Sequence, residues 1–235
     1  YITFSEELCA HSRSRIVGCR RCLDLCPTGA IAPAGDHVAI DAHICAGCGQ
    51  CAAACPTGAA SYALPPSDAL LRKLRVLLGT YREAGGKQGV VMFHDAEHGL
   101  ALIEALARHG NGLPANVLPV EVNEITQVGL EAVAAAHAYG ASAVRLLTRA
   151  KARHDIAGLK KTIELAQPIL TELGFAGARV EAIETDDPDE LDEALRGIGS
   201  LDPTLKPATF VPTGNKREVM RLALRELHAA APGPI

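Results

Sequence analysis

Eight cysteines fall within the first 55 residues, and the following 180 contain none. They form two runs, Cys9-x9-Cys19-x2-Cys22-x3-Cys26-Pro27 and Cys45-x2-Cys48-x2-Cys51-x3-Cys55-Pro56. The second run has the spacing of bacterial iron–sulfur ligation, in which the fourth Cys of each run serves the other cluster. CRRCLDLCPTGAI over residues 19–31 lies in register with CGQCAAACPTGAA over 48–60, so the motif is repeated 29 residues later. Two [4Fe–4S] clusters are expected from this pattern, and with them the chemistry of moving single electrons.

A cubane cluster needs four thiolates converging on four iron corners, and three ligands spaced by two residues can wrap three corners in one tight loop. Small residues (Ala46, Gly47 and Gly49) would let backbone amides reach the sulfides, which is one influence on potential. Pro27 and Pro56 fix φ after the remote ligands and remove a donor there. Crossing assigns Cys45, Cys48, Cys51 and Cys26 to one cluster, and Cys19, Cys22, Cys55 and Cys9 to the other. Cys9 is reached only if residues 10–18 (AHSRSRIVG) loop out, because Ile16 stands in register with Cys45 and cannot ligate iron. The other reading leaves Cys9 a bystander, with a three-iron cluster or an unusual ligand such as His11. Ile16 and Ile44 are expected to shield the clusters from water. Two structural zincs would not need the x2-x2-x3-Cys-Pro run, and disulfides suit small secreted domains.

The thiols must be positioned by a compact scaffold, and HVAIDAHIC (37–45) and TGAASYAL (57–64) read as strands. Through both cysteine runs, residues 1–62 resemble two-cluster bacterial-type ferredoxins. That resemblance implies a small α+β fold with pseudo-twofold symmetry and paired hairpins. The long first gap departs from the family pattern and bears on the ligand set and potential of one cluster.

At 235 residues the chain exceeds one such module, and a second domain is expected. Hydrophobic residues make up 48%, enough for a core, with no Trp. A net charge of −4 without a basic block argues against nucleic acid as a partner. No apolar run reaches 18 residues, so no membrane-spanning helix is expected, and a cytoplasmic location follows as the expectation. The chain starts at Tyr1 and ends Pro-Gly-Pro-Ile, which reads as an excised piece of a longer polypeptide with the rest missing.

The expected organisation is a ferredoxin domain (1–64), a helical linker (65–86), an α/β domain (87–200), and an extended segment with a C-terminal helix (201–235). In the linker, Ser67 is the expected N-cap, Leu70, Leu74, Leu77 and Leu78 recur at helical spacing, and Gly85-Gly86 ends the helix. Strands then alternate with helices: strands at 89–95, 115–122, 142–148 and 178–184, helices at 100–110, 125–140, 156–173 and 189–199. Pro119 argues for an edge position and Pro168 for a kinked helix. Four such units imply a flavodoxin-like α/β domain with a four-stranded parallel sheet in the order 2-1-3-4. The last helix, near 215–230, carries Val219, Met220, Leu222, Ala223, Leu224 and Leu227, too wide an apolar surface for one buried stripe.

Ligands of such sheets sit beyond the carboxyl ends of the strands. Here those ends carry His94, Asp95 and His98, then Glu121, Asn123 and Glu124, then Thr148 and Arg149. No glycine-rich phosphate loop follows any strand. Metal ligation by His94, His98 and Glu121 is weighed against a solvated or capping role, and the acidic stretch 184–193 (ETDDPDELDE) as a docking patch against a solvated helix start. The stretches VLPVEVNEITQVGLEAVAAAHAYGASAVRLL and LKKTIELAQPILTELGFAGARVEAIE resemble the delta subunit of methyl-viologen-reducing hydrogenase. That family relays electrons between a hydrogenase or formate dehydrogenase and a partner reductase. Its additional cluster cysteines have no counterpart after Cys55.

The expected function is electron transfer between redox partner proteins through two [4Fe–4S] clusters, in association with a hydrogenase- or formate-dehydrogenase-type oxidoreductase. No catalytic base or nucleophile is visible, so the chain does not read as an enzyme on its own. The alternative is an assembly or redox-regulatory factor for a metalloenzyme, with structural or sensing clusters.

Overall fold

The computed structural model describes residues 1–13, 15–203 and 206–232. Ser14 of the 10–18 excursion, Thr204 and Leu205 of the extended segment, and residues 233–235 lie outside the described residues.

Antiparallel pairing builds the cysteine-rich part. Strand β1 (Ile2–Phe4) pairs with β4 (Ala60–Tyr62), and β2 (Ile31–Ala34) pairs with β3 (His37–Ile40). Two five-residue helices, α1 (Arg21–Leu25) and α2 (Gln50–Ala54), occupy equivalent places in the two repeats. Each stops at the Cys before proline, because a residue preceding Pro is driven from helical to extended backbone. Cys26 (φ −75°, ψ 109°) and Cys55 (φ −67°, ψ 115°) show it. The strands are shorter than the sequence suggests, since residues 41–45 and 57–59 turn beside Cys45 and Cys55. A small core gathers Ile31, Val38, Ala59, Cys9 and Cys51.

Helix α3 (Ser67–Glu83) leads into the second part, with Pro66 rather than Ser67 at the N-cap. Four parallel strands follow: β5 (Val90–His94), β6 (Val117–Glu121), β7 (Ala143–Thr148) and β8 (Val180–Glu184). Their spatial order is β6-β5-β7-β8, the expected 2-1-3-4. Pro119 falls on the edge strand β6, where its missing N–H leaves no ladder bond unmade. The connecting helices are α4 (Gly99–His109), α5 (Leu130–Ala138), α6 (Ala157–Glu172) and α7 (Pro188–Arg196), and α8 (Lys216–Ala229) closes the chain. Leu102 of α4 and Leu191 of α7 cover Met92 and Leu147 on one face of the sheet. Helices α3, α5, α6 and α8 build the larger core over Val91, Phe93 and Leu146 on the other. Among the described residues no helix is long and apolar enough to cross a membrane.

Two helices depart from expectation. Residues 125–140 do not form one helix: a 3-10 turn (Ile125–Gln127) is separated from α5 by extended Gly129. The cause lies outside the segment, because Thr126 Oγ1 donates to the Cys48 carbonyl at 2.5 Å and holds the turn on the cysteine loop. On α8 only the i, i+4 stripe Val219, Ala223 and Leu227 is buried, while Met220, Leu222 and Leu224 stay partly exposed. The stripe lies against α5, whose residues Glu131 to Ala138 are all buried.

Candidate metal centre

All eight cysteines are free thiols; Cys9 and Cys51 are buried and the other six are partly exposed. Their mutual electrostatics sort them. The Cys22 thiol is pushed up to about 11 by burial first, then by neighbouring Cys55, Cys19 and Cys9. Cys48 is raised by burial, with Cys26 and Cys45 adding to it. Cys51 is pushed up to about 12 by burial and Cys48, with smaller contributions from Cys22 and Cys45. Cys55 thus faces thiols of the first run and Cys26 faces thiols of the second, with Cys51 between the groups. Crowded thiols resist ionising alone; bound metal supplies the positive charge that releases their protons. Among the described residues, no three His, Cys, Asp or Glu side chains gather closely enough to hold a single ion. A tetrahedral zinc with bonds of about 2.3 Å would draw its sulfurs to within about 4 Å of one another. A cube of four irons spreads its thiolates wider, and this all-sulfur donor set suits it.

The two remote thiols behave differently from the rest. Burial works to raise Cys26, but hydrogen bonds from the Thr28 side chain and from the backbone of Thr28, Ala30 and Ile31 bring it below its usual value. Cys55 is lowered likewise: against burial stand the Thr57 side chain, the backbone of Ala60 and Thr57, and the Lys216 cation. The contacts are Cys26 Sγ–Thr28 Oγ1 at 3.7 Å and Cys55 Sγ–Thr57 Oγ1 at 3.5 Å. These threonines belong to the site although no ligand spacing singles them out. Their signal was present, since both runs read Cys-Pro-Thr-Gly-Ala.

The excursion before Cys19 closes on itself. Gly18 N donates to the His11 carbonyl at 2.7 Å, and His11 Nδ1 meets the Cys19 carbonyl at 2.8 Å. A carbonyl only accepts, so Nδ1 carries the proton, and His11 ties the loop's ends together. Ser12 fastens it to the β2–β3 turn through Asp36 O and Gly35 O. Cys9 is brought into the field of Cys22 despite the longer gap. Ile16 and Ile44 are 73% and 51% exposed, and Ile16 lines a cavity of about 290 Å³ together with Cys9. Ile16 rides outside the His11–Gly18 tie, and the tight turn from Asp41 to Cys45 turns Ile44 outward.

The second run is embedded in the α/β part. Helix α1 has no buried residue, whereas α2 buries Gln50, Cys51, Ala52 and Ala53. Gln50 Nε2 donates to the Asp155 carbonyl at 2.5 Å, and its Oε1 accepts from Gly158 N at 3.0 Å. Tyr62 OH donates to the Gly47 carbonyl at 2.6 Å and accepts from Asn123 Nδ2 at 2.7 Å. Lys216 Nζ donates to the carbonyls of Ala52 and Ala53 at 2.6 and 2.7 Å. The Ala52 carbonyl would otherwise look to Pro56, four residues on, which has no N–H. Gly49 has φ +79°, and a Cβ there would lie 2.6 Å from Gln127 Cβ. Close packing therefore requires this glycine, beyond the approach of amides to sulfides. Gln50, Thr126 and Lys216 were not legible in sequence as parts of the site, for their partners are remote in the chain.

The carboxyl edge of the sheet is already engaged. Asp95 Oδ1 accepts from His98 N and Gly99 N at the start of α4, and Asp155 Oδ1 from Ala157 N at the start of α6. Asp187 caps α7, so the acidic stretch includes a helix start. These N–H groups are where an anion would otherwise bind. His98 Nε2 meets the Thr185 carbonyl at 2.9 Å and the Asp186 carboxylate at 3.0 Å, and His94 Nδ1 meets the Asp95 carbonyl at 3.0 Å. Both histidines bind neighbouring loops. A cavity of about 580 Å³ lies between this edge and the cysteine loop, with Ala46, Glu121, Glu124 and Arg149 on its walls. Glu97 pairs there with Arg149 (3.8 Å) and with Arg153.

Residues 15–59 match the family model described as a 4Fe-4S dicluster domain. The match takes in seven of the eight cysteines, Cys19 to Cys55, and ends before α3. This segment is ferredoxin-like, with 4Fe–4S binding and iron–sulfur electron transfer as its chemistry. No curated protein and no solved structure matches the chain.

Proposed function

We propose that the chain relays single electrons between redox partner proteins through two [4Fe–4S] clusters. Cys9, Cys19, Cys22 and Cys55 would hold one, and Cys26, Cys45, Cys48 and Cys51 the other. The observation that carries this reading is the sorting of the thiols, in which Cys22 feels Cys55 and Cys48 feels Cys26 across the repeat. Iron supplies the electron chemistry when bound. The chain's own residues hold the thiolates, donate hydrogen bonds from Thr28 and Thr57, and keep part of the second run dry.

In this reading residues 87–200 bind no nucleotide, flavin or metal of their own and act by docking partners. The self-capped helix starts at the carboxyl edge support it. The resemblance of that part to the hydrogenase delta subunit favours a hydrogenase- or formate-dehydrogenase-type oxidoreductase as the associated enzyme. Capture from the native host, with the bound proteins identified by mass spectrometry, tests the partner.

Anaerobically prepared protein should contain about eight irons and eight acid-labile sulfides per chain. It should show two reversible one-electron waves. A colourless, zinc-replete protein would overturn the proposal, and clusters that fail to reoxidise would favour the assembly or regulatory role instead.

A further inference from the structure

Lys216 is the first residue of α8, yet its side chain is 9% exposed and its ammonium meets three oxygens of other elements, two as hydrogen bonds and one as an ion pair. Two are the Ala52 and Ala53 carbonyls, at 2.6 and 2.7 Å, and the third is Glu131 Oε2 of α5 at 3.2 Å. The Glu131 side chain is 8% exposed. The approach is close: a Cβ on Gly58, in the turn after Cys55, would lie 3.0 Å from Lys216 Cβ. The Asn215–Glu218 capping box fixes the helix start that presents the lysine. The first run has nothing comparable. Among the described residues, Leu23, the counterpart of Ala52, has no side-chain donor on its carbonyl.

We infer that the buried Lys216–Glu131 pair sets the reduction potential of the cluster that Cys55 helps to hold, Lys216 raising it and Glu131 holding it down. The inference rests on the two-cluster reading above. Reduction adds one electron, and so one negative charge, to a cluster; no bond forms or breaks and no proton is needed. A fixed cation nearby favours the added charge and a carboxylate opposes it, and burial spares both effects the screening that salt imposes at a surface. At Cys55, against the upward push of burial, Lys216 acts alongside the Thr57 and backbone hydrogen bonds. Ala52 adjoins Cys51 of the second group, but the charges chiefly felt by Cys48 and Cys51 are those of other thiols. The pair would therefore make the two clusters unequal, with the Cys55 cluster the better electron acceptor.

The test uses the full chain, reconstituted anaerobically, with iron and sulfide counted and both clusters titrated against dithionite under electron paramagnetic resonance. Lys216→Gln should move one midpoint negative and leave the other in place. Glu131→Gln should move that same midpoint positive. A merely structural pair would give shifts of one sign or loss of cluster in both variants. Should Lys216→Gln fail to assemble, the positive shift in Glu131→Gln decides alone. If both clusters form and titrate but neither variant moves a midpoint, or both move it the same way, this inference fails while the relay stands. If no clusters form in the parent chain, the relay itself fails.

Discussion

Around Cys19–Cys26 the chain presents Arg20, Arg21 and Asp24 to solvent, whereas the same positions between Cys48 and Cys55 hold Gly49, Gln50 and Ala53, all buried. The ligand spacing is shared; the residues between the ligands are not. Long charged side chains keep α1 at the surface, where they retain their hydration. Small residues and one amide let α2 lie against the 3-10 turn, α6 and α8. The difference teaches that spacing fixes what a run binds, and the intervening residues fix what it leans on.

The crossing of the runs offers the largest effect by which to break this comparison. Cys26→Ser and Cys48→Ser should each lose the same cluster, about four of some eight irons. Cys22→Ser and Cys55→Ser should lose the other. Coincident losses in Cys26→Ser and Cys22→Ser, seen by paired electron paramagnetic resonance spectra, would mean that each run binds locally.

The positions between the ligands come next. Gly49→Val must accept φ +79° with a branched side chain and displace Gln127. It should cost about 3 kcal/mol or more, read by anaerobic thermal denaturation. Arg20→Ala, its counterpart on the open side, should change stability by no more than about 0.5 kcal/mol. Equal effects at the two sites would erase the asymmetry. Gln50→Ala leaves the buried Gly158 N–H without its acceptor and should cost about 1–3 kcal/mol. Arg21→Ala should again be close to silent.

Much of this was legible in the sequence. Thiol spacing marked the candidate ligands, and the alternation of apolar strands with helices carried the sheet and its 2-1-3-4 order. Helices α1 and α2 escaped notice, since five residues are too few to display a period. The break before α5 escaped because Thr126 answers to Cys48, 78 residues away. Lys216 escaped for the same reason: its carbonyl partners lie 163 and 164 residues upstream, beyond any local pattern.

A further expected effect belongs to the α/β part alone. Burial lowers His137 from 6.5 to about 4, so the fold holds it neutral. A depressed histidine contributes stability above its unfolded value that is lost as pH falls toward the folded one. Melting temperature should therefore decline as pH drops from about 6.5 to 4, with His137→Gln flattening that limb. An unchanged slope in the variant would place the acid sensitivity elsewhere.

Gln50 sits between Cys48 and Cys51 and also completes the first turn of α6. Occupancy and folding are then thermodynamically linked, because whatever orders residues 45–51 also answers a buried N–H of the helix preceding β8. Metal insertion should then be readable 108 residues away in the chain, as slower hydrogen exchange at Gly158.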